Sequence, residues 1–534
     1  MSNVDSQPTF LGARGKKLKL FILVLVVAPS FILFGYNNGS TGGLFGLPSF
    51  NKQFPAIDTV TTTGAALSQA SRIKGVVTGC YDLGAVVGSL SSITYGPRIG
   101  RLRTALLGLI VSIVALAIEA SSFSLAQLIV GRLLVGFSIG LISAAVPVWQ
   151  AECSNAEHRG TFVIFEGICI SGGITLSEWV DFGLSFTTTK SGQWRGPLVF
   201  PALFSIFAIA FVLFMPESPR WLTSKGRIDH AREALSALMD LPMGSLEIEA
   251  EIDNIQLSLE RAALGPNASS FFRLFRNGKE RLLHRTLLAM CGQLFQQMCG
   301  IAALVFYTST FFADLGFDSL QSRIIGCCLT TFQTLCSIIP LLTIDRFGRR
   351  KLLIFSLMGM GTSMAVIAGA GSSDKHSAVV AAVVFCFVYD FFYPIGCLGL
   401  TFLYATEIAP LAYRIPITAL ANATQWMGQF IVAEVTPLGT ANLKNRYWII
   451  YAVLNFTFAL ITYVFFPETN GRSLEDMDLI FENTKNIFQT VRIAHEMKGK
   501  SGLQLYNEKS AVMGSEEHVE ATSGSEEHGE ATSV

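Results

Sequence analysis

The sequence predicts an all-α polytopic membrane protein with twelve transmembrane helices arranged in two similar halves of six. Three observations predict this fold class. Only 15% of the 534 residues are charged and 51% are hydrophobic, whereas a soluble domain usually carries about 25% charged residues. Apolar stretches of roughly 20 residues, long enough to cross a bilayer core, recur along the chain. Three pairs of sequence motifs are separated by about 250 residues, as expected of a duplicated bundle.

Twelve apolar stretches are the candidate spans. The first has no small-residue cleavage site after it, so we interpret it as a retained span and not as a signal peptide. The candidate spans are 20–43, 74–95, 104–121, 125–150, 162–184, 197–215, 286–312, 322–344, 351–371, 378–405, 415–437 and 446–466.

Five segments follow from these spans. Two six-helix bundles flank a charged middle loop that contains short amphipathic helices, and polar tails lie at both ends. The sequence Gly-Ser-Glu-Glu-His occurs at 514 and again at 524, and this acidic repeat predicts disorder after about 500. The segments are an N-terminal tail 1–19, an N-terminal bundle 20–215, the middle loop 216–285, a C-terminal bundle 286–466 and a C-terminal tail 467–534.

Basic residues near the span ends predict the orientation. The N-terminal tail, the loop at 98–103 and the loop at 346–351 are rich in Lys and Arg and alternate regularly with the spans. Because such loops remain in the cytosol, we expect both termini to be cytosolic, and we expect a multi-pass protein of the plasma membrane.

The composition argues against several classes of protein. The net charge is zero, so no basic surface indicates nucleic-acid binding. All seven histidines fall in predicted loops or tails, and no Cys/His cluster with metal-ligand spacing occurs. We therefore expect no enzyme activity, metal or cofactor. The expected partners are a small-molecule substrate and the lipid bilayer, with the chain acting as a monomer.

The repeated motifs indicate where a substrate would bind. Arg98-Ile-Gly-Arg101 matches Arg346-Phe-Gly-Arg349, and Pro216-Glu217-Ser218 matches Pro467-Glu468-Thr469. Glutamate and arginine seven residues apart also occur twice, at 152 and 159 and at 407 and 414. Duplicated bundles place the substrate between the halves near the midplane, and rocking of the halves exposes it to each side in turn.

The chain resembles the sugar-porter branch of the major facilitator superfamily, especially its fungal members, over about 20–485. Besides the repeated motifs, the resemblance is carried by Gly35-Tyr36-Asn37-Asn38-Gly39, Gly131-Arg132, Pro216-Glu217-Ser218-Pro219-Arg220, Gln296-Gln297-Met298-Cys299-Gly300, Tyr404-Ala405-Thr406-Glu407 and Pro467-Glu468-Thr469-Asn470-Gly471. It implies the major facilitator fold and transport of a sugar or a sugar-like polyol by alternating access.

Charged residues at the cytosolic ends of the spans form a candidate gate. We hypothesise that Arg98 and Arg101 meet Glu152 and Glu217 when the cytosolic side is closed, and that their counterparts in the second half do the same. Pro97 stands where the second half has an aspartate, so the first-half network is expected to be weaker. The alternative is that these charges only set the topology. The gate candidates are Arg98, Arg101, Glu152, Arg159, Glu217, Asp345, Arg346, Arg349, Glu407, Arg414 and Glu468.

Amide and aromatic side chains within the spans form a candidate substrate site. Amides donate and accept hydrogen bonds without the cost of a buried charge, although they also join helices in membranes. The resemblance assigns sugar contact to Gln296, Gln297 and Trp426. It also implies an asparagine where Ala302 stands, a glutamine where Gly167 stands and a tryptophan where Phe402 stands, so three expected contacts are missing. The candidates are Gln293, Gln296, Gln297, Gln333, Phe402, Gln425, Trp426 and Gln429.

The resemblance also identifies a position for proton coupling, where an aspartate in helix one meets an arginine in helix four. Here Arg132 remains but Asn37 replaces the acid, which favours facilitated diffusion. A proton symporter that uses Glu166, or another carboxylate within the spans, is the alternative. The other candidate carboxylates are Asp82, Glu119, Asp390 and Glu434. An exporter of a related metabolite and a transporter-like nutrient receptor also remain open.

Overall fold

The structure, a computed structural model, describes residues 8–154, 159–263, 271–276, 278, 280–373, 375–410, 413–472, 474–484 and 486–497. These residues are almost entirely helical, and none of them belongs to a named β-strand. The tail predicted to be disordered after about 500 lies outside the described residues.

Ten helical segments have the length and apolar composition to cross a membrane, and an eleventh consists of two helices bent by 42°. The last segment contains two helices joined by a short 3₁₀ turn, so the described residues hold twelve membrane helices. These are α1 Gly15–Leu44, α2 Gly64–Ile99, α3 Arg101–Ala120, α4 Leu125–Cys153, α5 Gly160–Leu184, α6 Gly192–Val212, α7 Leu282–Thr308, α8 Ser319–Cys336 with Ile339–Phe347, α9 Arg349–Ala370, α10 His376–Ile408, α11 Arg414–Leu443 and α12 Tyr447–Phe465.

Glycines allow helices within the N-terminal half to approach closely. A Cβ atom added to Gly35 of α1 would collide with the Ile170 carbonyl of α5, and one added to Gly136 of α4 would collide with the Tyr81 carbonyl of α2. Small residues are favoured at such interfaces because helices in lipid associate through close packing and interhelical hydrogen bonds.

Three pairs of helices make the most extensive contacts between the halves. Helix α2 packs along α11, α5 along α8, and α1 along α7. Polar contacts support the first pair, where Asn422 of α11 donates to Ser89 Oγ of α2 at 3.1 Å and to Ser143 Oγ of α4 at 3.0 Å. The seam between the halves is therefore hydrogen-bonded and not only apolar.

Short helices cover the side of the bundle that carries the loops at 98–101 and 346–349, which we call the basic face. The middle loop forms helices Pro219–Ser224, Ile228–Met239 and Leu246–Ala263. The N-terminal tail is tied to it by Arg14, whose Nε lies 2.9 Å from Asp240 Oδ1. After α12 the chain forms helices Leu474–Glu482 and Thr490–Glu496.

Candidate functional site

A cavity lies between the two halves. Both halves contribute to its wall, which combines amide side chains with apolar and aromatic ones. The lining residues are Phe34, Asn38, Ile170, Ile174, Gln296, Gln297, Ile301, Ala302, Val305, Phe306, Gln333, Tyr393, Leu398, Gln425 and Gln429.

Six buried amides give the cavity its polar character. Gln425 and Gln429 share one face of α11 because they are four residues apart, and Gln296 and Gln297 project from α7. Asn38 of α1 and Gln333 of α8 complete the set. None of the described lining residues is Asp, Glu, Lys or Arg, so the wall is suited to a neutral ligand.

Some of these amides are already bonded within the protein, and others are not. Gln296 donates to the Leu398 carbonyl at 3.0 Å and accepts from Thr401 at 3.0 Å, so it also holds α7 against α10. Neither amide atom of Gln333 has a partner in the described structure, and the same is true of Gln425 Oε1. Buried polar groups without partners are rare in native proteins, so these atoms are available to a ligand.

Three predicted substrate residues do not line the cavity. Gln293 and Trp426 are buried, Phe402 is partly buried on α10, and none of the three is among the lining residues. The Trp426 ring packs behind Phe34, with centroids 4.9 Å apart, and meets Tyr81 edge-on at 5.7 Å. Trp426 therefore supports an aromatic residue of the cavity wall and is not itself part of that wall.

The structure also adds lining residues that the sequence analysis did not assign. Asn38 lines the cavity, although the motif that contains it directed attention to Asn37. The aromatic rings of Phe34, Phe306 and Tyr393 also face the cavity. Only Asn38 could have been indicated by the sequence, because it lies within a recognised motif, whereas the others resemble ordinary apolar span residues.

Contacts join the halves on both sides of the cavity. Away from the basic face, the rings of Phe45 and Tyr307 stack with centroids 6.4 Å apart, and Trp179 Nε1 donates to Thr331 Oγ1 at 3.0 Å. Towards the basic face, Gly167 of α5 faces Gly399 of α10. The cavity is thus enclosed between two layers of contact between the halves.

The basic face of the N-terminal half contains one of two matching charge networks. Arg101 Nε lies 3.1 Å from Glu152 Oε2, which also accepts from Ser218 Oγ at 2.5 Å. Glu217 accepts the backbone N–H of Leu102 at 3.1 Å, so its charge lies at the N-terminus of α3, where negative charge is stabilised. Burial raises the pKa of the Glu217 carboxyl, against the opposing effect of its backbone hydrogen bonds.

The C-terminal half repeats this arrangement. Arg349 Nη2 lies 3.0 Å from Glu407 Oε1, and Glu407 Oε2 accepts from Thr469 Oγ1 at 2.5 Å. Glu468 accepts the backbone N–H of Arg349 at 2.8 Å, at the N-terminus of α9. Asp345 adds a second ion pair to Arg349 at 3.0 Å, which the first half lacks because it has Pro97 at that position.

Part of the hypothesised gate differs from its prediction. Arg98 and Arg346 are exposed, and neither forms an ion pair with a carboxylate in the described part of the chain. Glu217 and Glu468 instead bind backbone amides, because each lies against the start of the next helix. Arg414 is partly buried, and the side chain of Arg159 lies outside the described structure.

The predicted coupling position is also rearranged. Asn37 donates to the Leu33 carbonyl of its own helix at 2.8 Å. Arg132 Nη1 pairs with Glu119 Oε1 of α3 at 3.1 Å, and both side chains are almost fully buried. Glu166 is buried on α5 and is not among the lining residues. The arginine thus has an acidic partner on α3 in place of one on α1.

Comparison with known proteins places this architecture in a family. The family model for sugar (and other) transporters matches residues 23–481. The chain is 33% identical over 516 residues to the sugar transporter STL1 of Saccharomyces cerevisiae, covering 96% of this chain and 89% of that protein. It is 32% identical over 492 residues to the MFS-type transporter oryC of Aspergillus oryzae, covering 91% and 89%.

A solved structure with the same fold is the proton:xylose symporter XylE of E. coli, with a TM-score of 0.74 and 21% identity, covering 87% of this chain and 99% of that one. The likeness confirms the predicted major facilitator fold. The family match and the relatives confirm the predicted family, and the chain belongs to the sugar (and other) transporter family.

Proposed function

We propose that the protein carries a sugar or a sugar-like polyol across the membrane by alternating access. The observation that carries this proposal is the cavity between the halves, whose polar wall consists of six amides without a charged side chain.

The chemistry of the wall favours a neutral ligand with several hydroxyl groups. The unpartnered Nε2 of Gln333 can donate a hydrogen bond to a hydroxyl group, and the unpartnered Oε1 atoms of Gln333 and Gln425 can accept one. Phe34 and Tyr393 offer flat apolar surface to the carbon face of such a ligand. Ala302 supplies no polar group at a position where the family resemblance implies asparagine, which favours a smaller or less hydroxylated substrate than a common hexose.

The matched charge networks supply a means of switching between conformations. Each holds a buried arginine against a carboxylate of the same half, at the ends of helices that move when the halves rock. Arg349 also lies beside Gly160 of the opposite half. Pairs of this kind need to supply only a few kcal/mol to shift a two-state equilibrium by ten- to a hundredfold.

The orientation and the membrane belong to the same proposal. The positive-inside pattern supports cytosolic placement of the basic face and of both termini. We place the protein in the plasma membrane. We also propose that it acts as a monomer, because the two halves of one chain supply the lining of the cavity.

The helix-one position favours facilitated diffusion over proton coupling at that position. Asn37 does not titrate near neutral pH, so a carrier that depended on this position alone would catalyse facilitated diffusion. Symport requires a carboxylate elsewhere in the spans, and Glu166 is the candidate that the sequence suggests.

Uptake into a transporter-null yeast strain tests the proposal, with radiolabelled hexoses, pentoses and polyols, each with and without a protonophore. We expect saturable uptake of at least one compound, weakened by Gln297→Ala in the cavity wall. Gln293→Ala, which removes a buried amide that does not line the cavity, is the matched control. No uptake of any compound by a protein that reaches the plasma membrane would contradict the proposal, and outward transport alone would favour the exporter.

A further inference from the structure

An unpaired carboxylate lies inside the seam between the halves. Asp82 of α2 is completely buried, and neither of its oxygens has a hydrogen-bond partner in the described structure. A buried charged carboxylate without hydrogen bonds is strongly disfavoured. In this closed arrangement the group is therefore stable with a bound proton.

The nearby charges lead to the same conclusion. Arg132 is the cation that faces Asp82, but its Nη1 is already paired with Glu119 at 3.1 Å. Two carboxylates and one guanidinium leave one negative charge in excess unless one acid is protonated. Nε and Nη2 of Arg132 have no partner in the described structure, so the arginine retains donors for Asp82 once that proton is lost.

A short chain of side chains connects Asp82 with the cavity. The amide of Gln429 on α11 lies against the Asp82 carboxyl. The same amide lines the cavity and donates to Asn38 Oδ1 of α1 at 3.2 Å. The protonation state of Asp82 is therefore sensed by an amide that a substrate would touch.

We propose that Asp82 is the proton-binding site of a proton-coupled transport cycle, an inference that rests on the proposed transport function. While Asp82 is protonated, the Gln429 amide keeps its hydrogen bond to Asn38 and its position in the cavity wall. When the proton leaves to the aqueous phase, the carboxylate binds the free donors of Arg132 and draws the Gln429 amide away from Asn38. Substrate and proton then favour each other's binding, as linkage requires.

The other titratable groups near Asp82 do not replace it. Glu119 is engaged by Arg132, and the Tyr307 hydroxyl donates to the Ala433 carbonyl at 2.7 Å. The remaining groups near this cluster are thiol and phenol side chains of α2 itself. The neighbours of Asp82 are Cys80, Tyr81, Glu119, Arg132 and Tyr307. Glu434 of α11 lies farther along the same seam, against Gly75 and Gly79 of α2.

The test compares gradient-driven accumulation with gradient-free exchange in proteoliposomes that contain the full chain. Radiolabelled D-glucose, D-xylose and glycerol are the probes, and the pH outside is one unit below the pH inside. We expect the wild type to accumulate a probe several-fold above equilibrium. Asp82→Asn, which mimics the protonated acid, is expected to equilibrate that probe without accumulation while retaining counterflow within about threefold. Asp390→Asn, a change at another buried span carboxylate, is the matched control and keeps accumulation.

The outcomes separate this inference from the proposed function. Counterflow without accumulation by the wild type, or accumulation by Asp82→Asn, would overturn the assignment of Asp82 and leave transport intact. Absence of counterflow for every probe would refute the transport proposal itself, and with it this inference.

A second measurement covers the case in which Asp82→Asn fails to fold. Probe affinity of the wild type is expected to fall as the pH rises, by up to tenfold per pH unit for one linked proton. Asp82→Glu keeps a titratable group and is expected to shift this pH profile without removing it. Affinity that is independent of pH in the wild type would contradict the assignment.

Discussion

The two halves share one device on the basic face but differ in what they contribute to the interior. Arg101 pairs with Glu152 in the first half at 3.1 Å, and Arg349 pairs with Glu407 at the equivalent place in the second half at 3.0 Å. The interior is unequal. Five of the six cavity amides come from the C-terminal half, and Asn38 alone comes from the N-terminal half.

Buried acids show the opposite distribution. Asp82, Glu119, Glu166, Glu178 and Asp181 are buried in the N-terminal half, whereas Asp390 is the buried acid described in the spans of the C-terminal half. The charge pairs of the basic face thus recur in both halves. The cavity amides lie mainly in the C-terminal half, and the buried acids lie mainly in the N-terminal half.

The largest expected effect comes from breaking the stronger of the two matched networks. Arg349 binds Glu407, Asp345 and Asn470, whereas Arg101 binds Glu152 and the Gly96 carbonyl. Arg349→Ala should therefore destabilise the conformation in which this network is formed by about 2–3 kcal/mol. This is less than the loss of one partner from a fully buried pair, because Glu407 is 21% exposed. Initial uptake rates should fall at least tenfold, and by less for Arg101→Ala. Equal rates in both variants and the wild type would refute the switch.

A smaller effect is expected where each network meets a helix start. Gly100 has φ +109° and Gly348 has φ +87°, and a Cβ atom at either would collide with Glu217 or Glu468. Gly100→Ala and Gly348→Ala should each lower the free energy of unfolding by about 1–2 kcal/mol. Thermal unfolding in detergent measures the change, with Gly12→Ala as the control, since Gly12 has a positive φ but open space around it. Equal losses at all three positions would show that the carboxylates do not matter.

The cavity amides should have a moderate effect on affinity. Gln297→Ala removes a lining amide and should cost about 1 kcal/mol, a five- to tenfold rise in KM. Asn38→Ala tests the N-terminal contribution and should act similarly, with an additional loss because Gln429 loses its acceptor. Concentration-dependent uptake measures both. A higher KM for Gln293→Ala than for Gln297→Ala would contradict the assigned wall.

The smallest effect should follow from the exposed arginines of the basic face. Arg98→Ala and Arg346→Ala remove side chains that face solvent, and exposed charges usually contribute less than about 1 kcal/mol. Uptake rates should stay within about twofold of the wild type. A tenfold lower uptake rate in either variant would show that these arginines do belong to the gate.

The sequence predicted the spans, the duplication and the matched charge motifs well, because apolar length and Lys/Arg placement are governed by the membrane itself. It was less informative about which side of a helix faces the cavity. Lipid and protein interior are both apolar, so Phe34 and Phe306 do not differ in pattern from lipid-facing phenylalanines. Trp426 was assigned to the cavity wall by resemblance, whereas the packing of Phe34 in front of it depends on tertiary contacts.

Cysteine accessibility at the cavity wall tests the central claim most directly. Ala302 lines the cavity and is 4% exposed. In oriented membrane vesicles, Ala302→Cys should react with a membrane-impermeant thiol reagent applied from either side, and a transported sugar should slow both reactions. The unsubstituted protein, with Cys328 as its exposed thiol, gives the background. Reaction from one side only, or from neither side in an active transporter, would contradict an amide cavity that opens to each face of the membrane in turn.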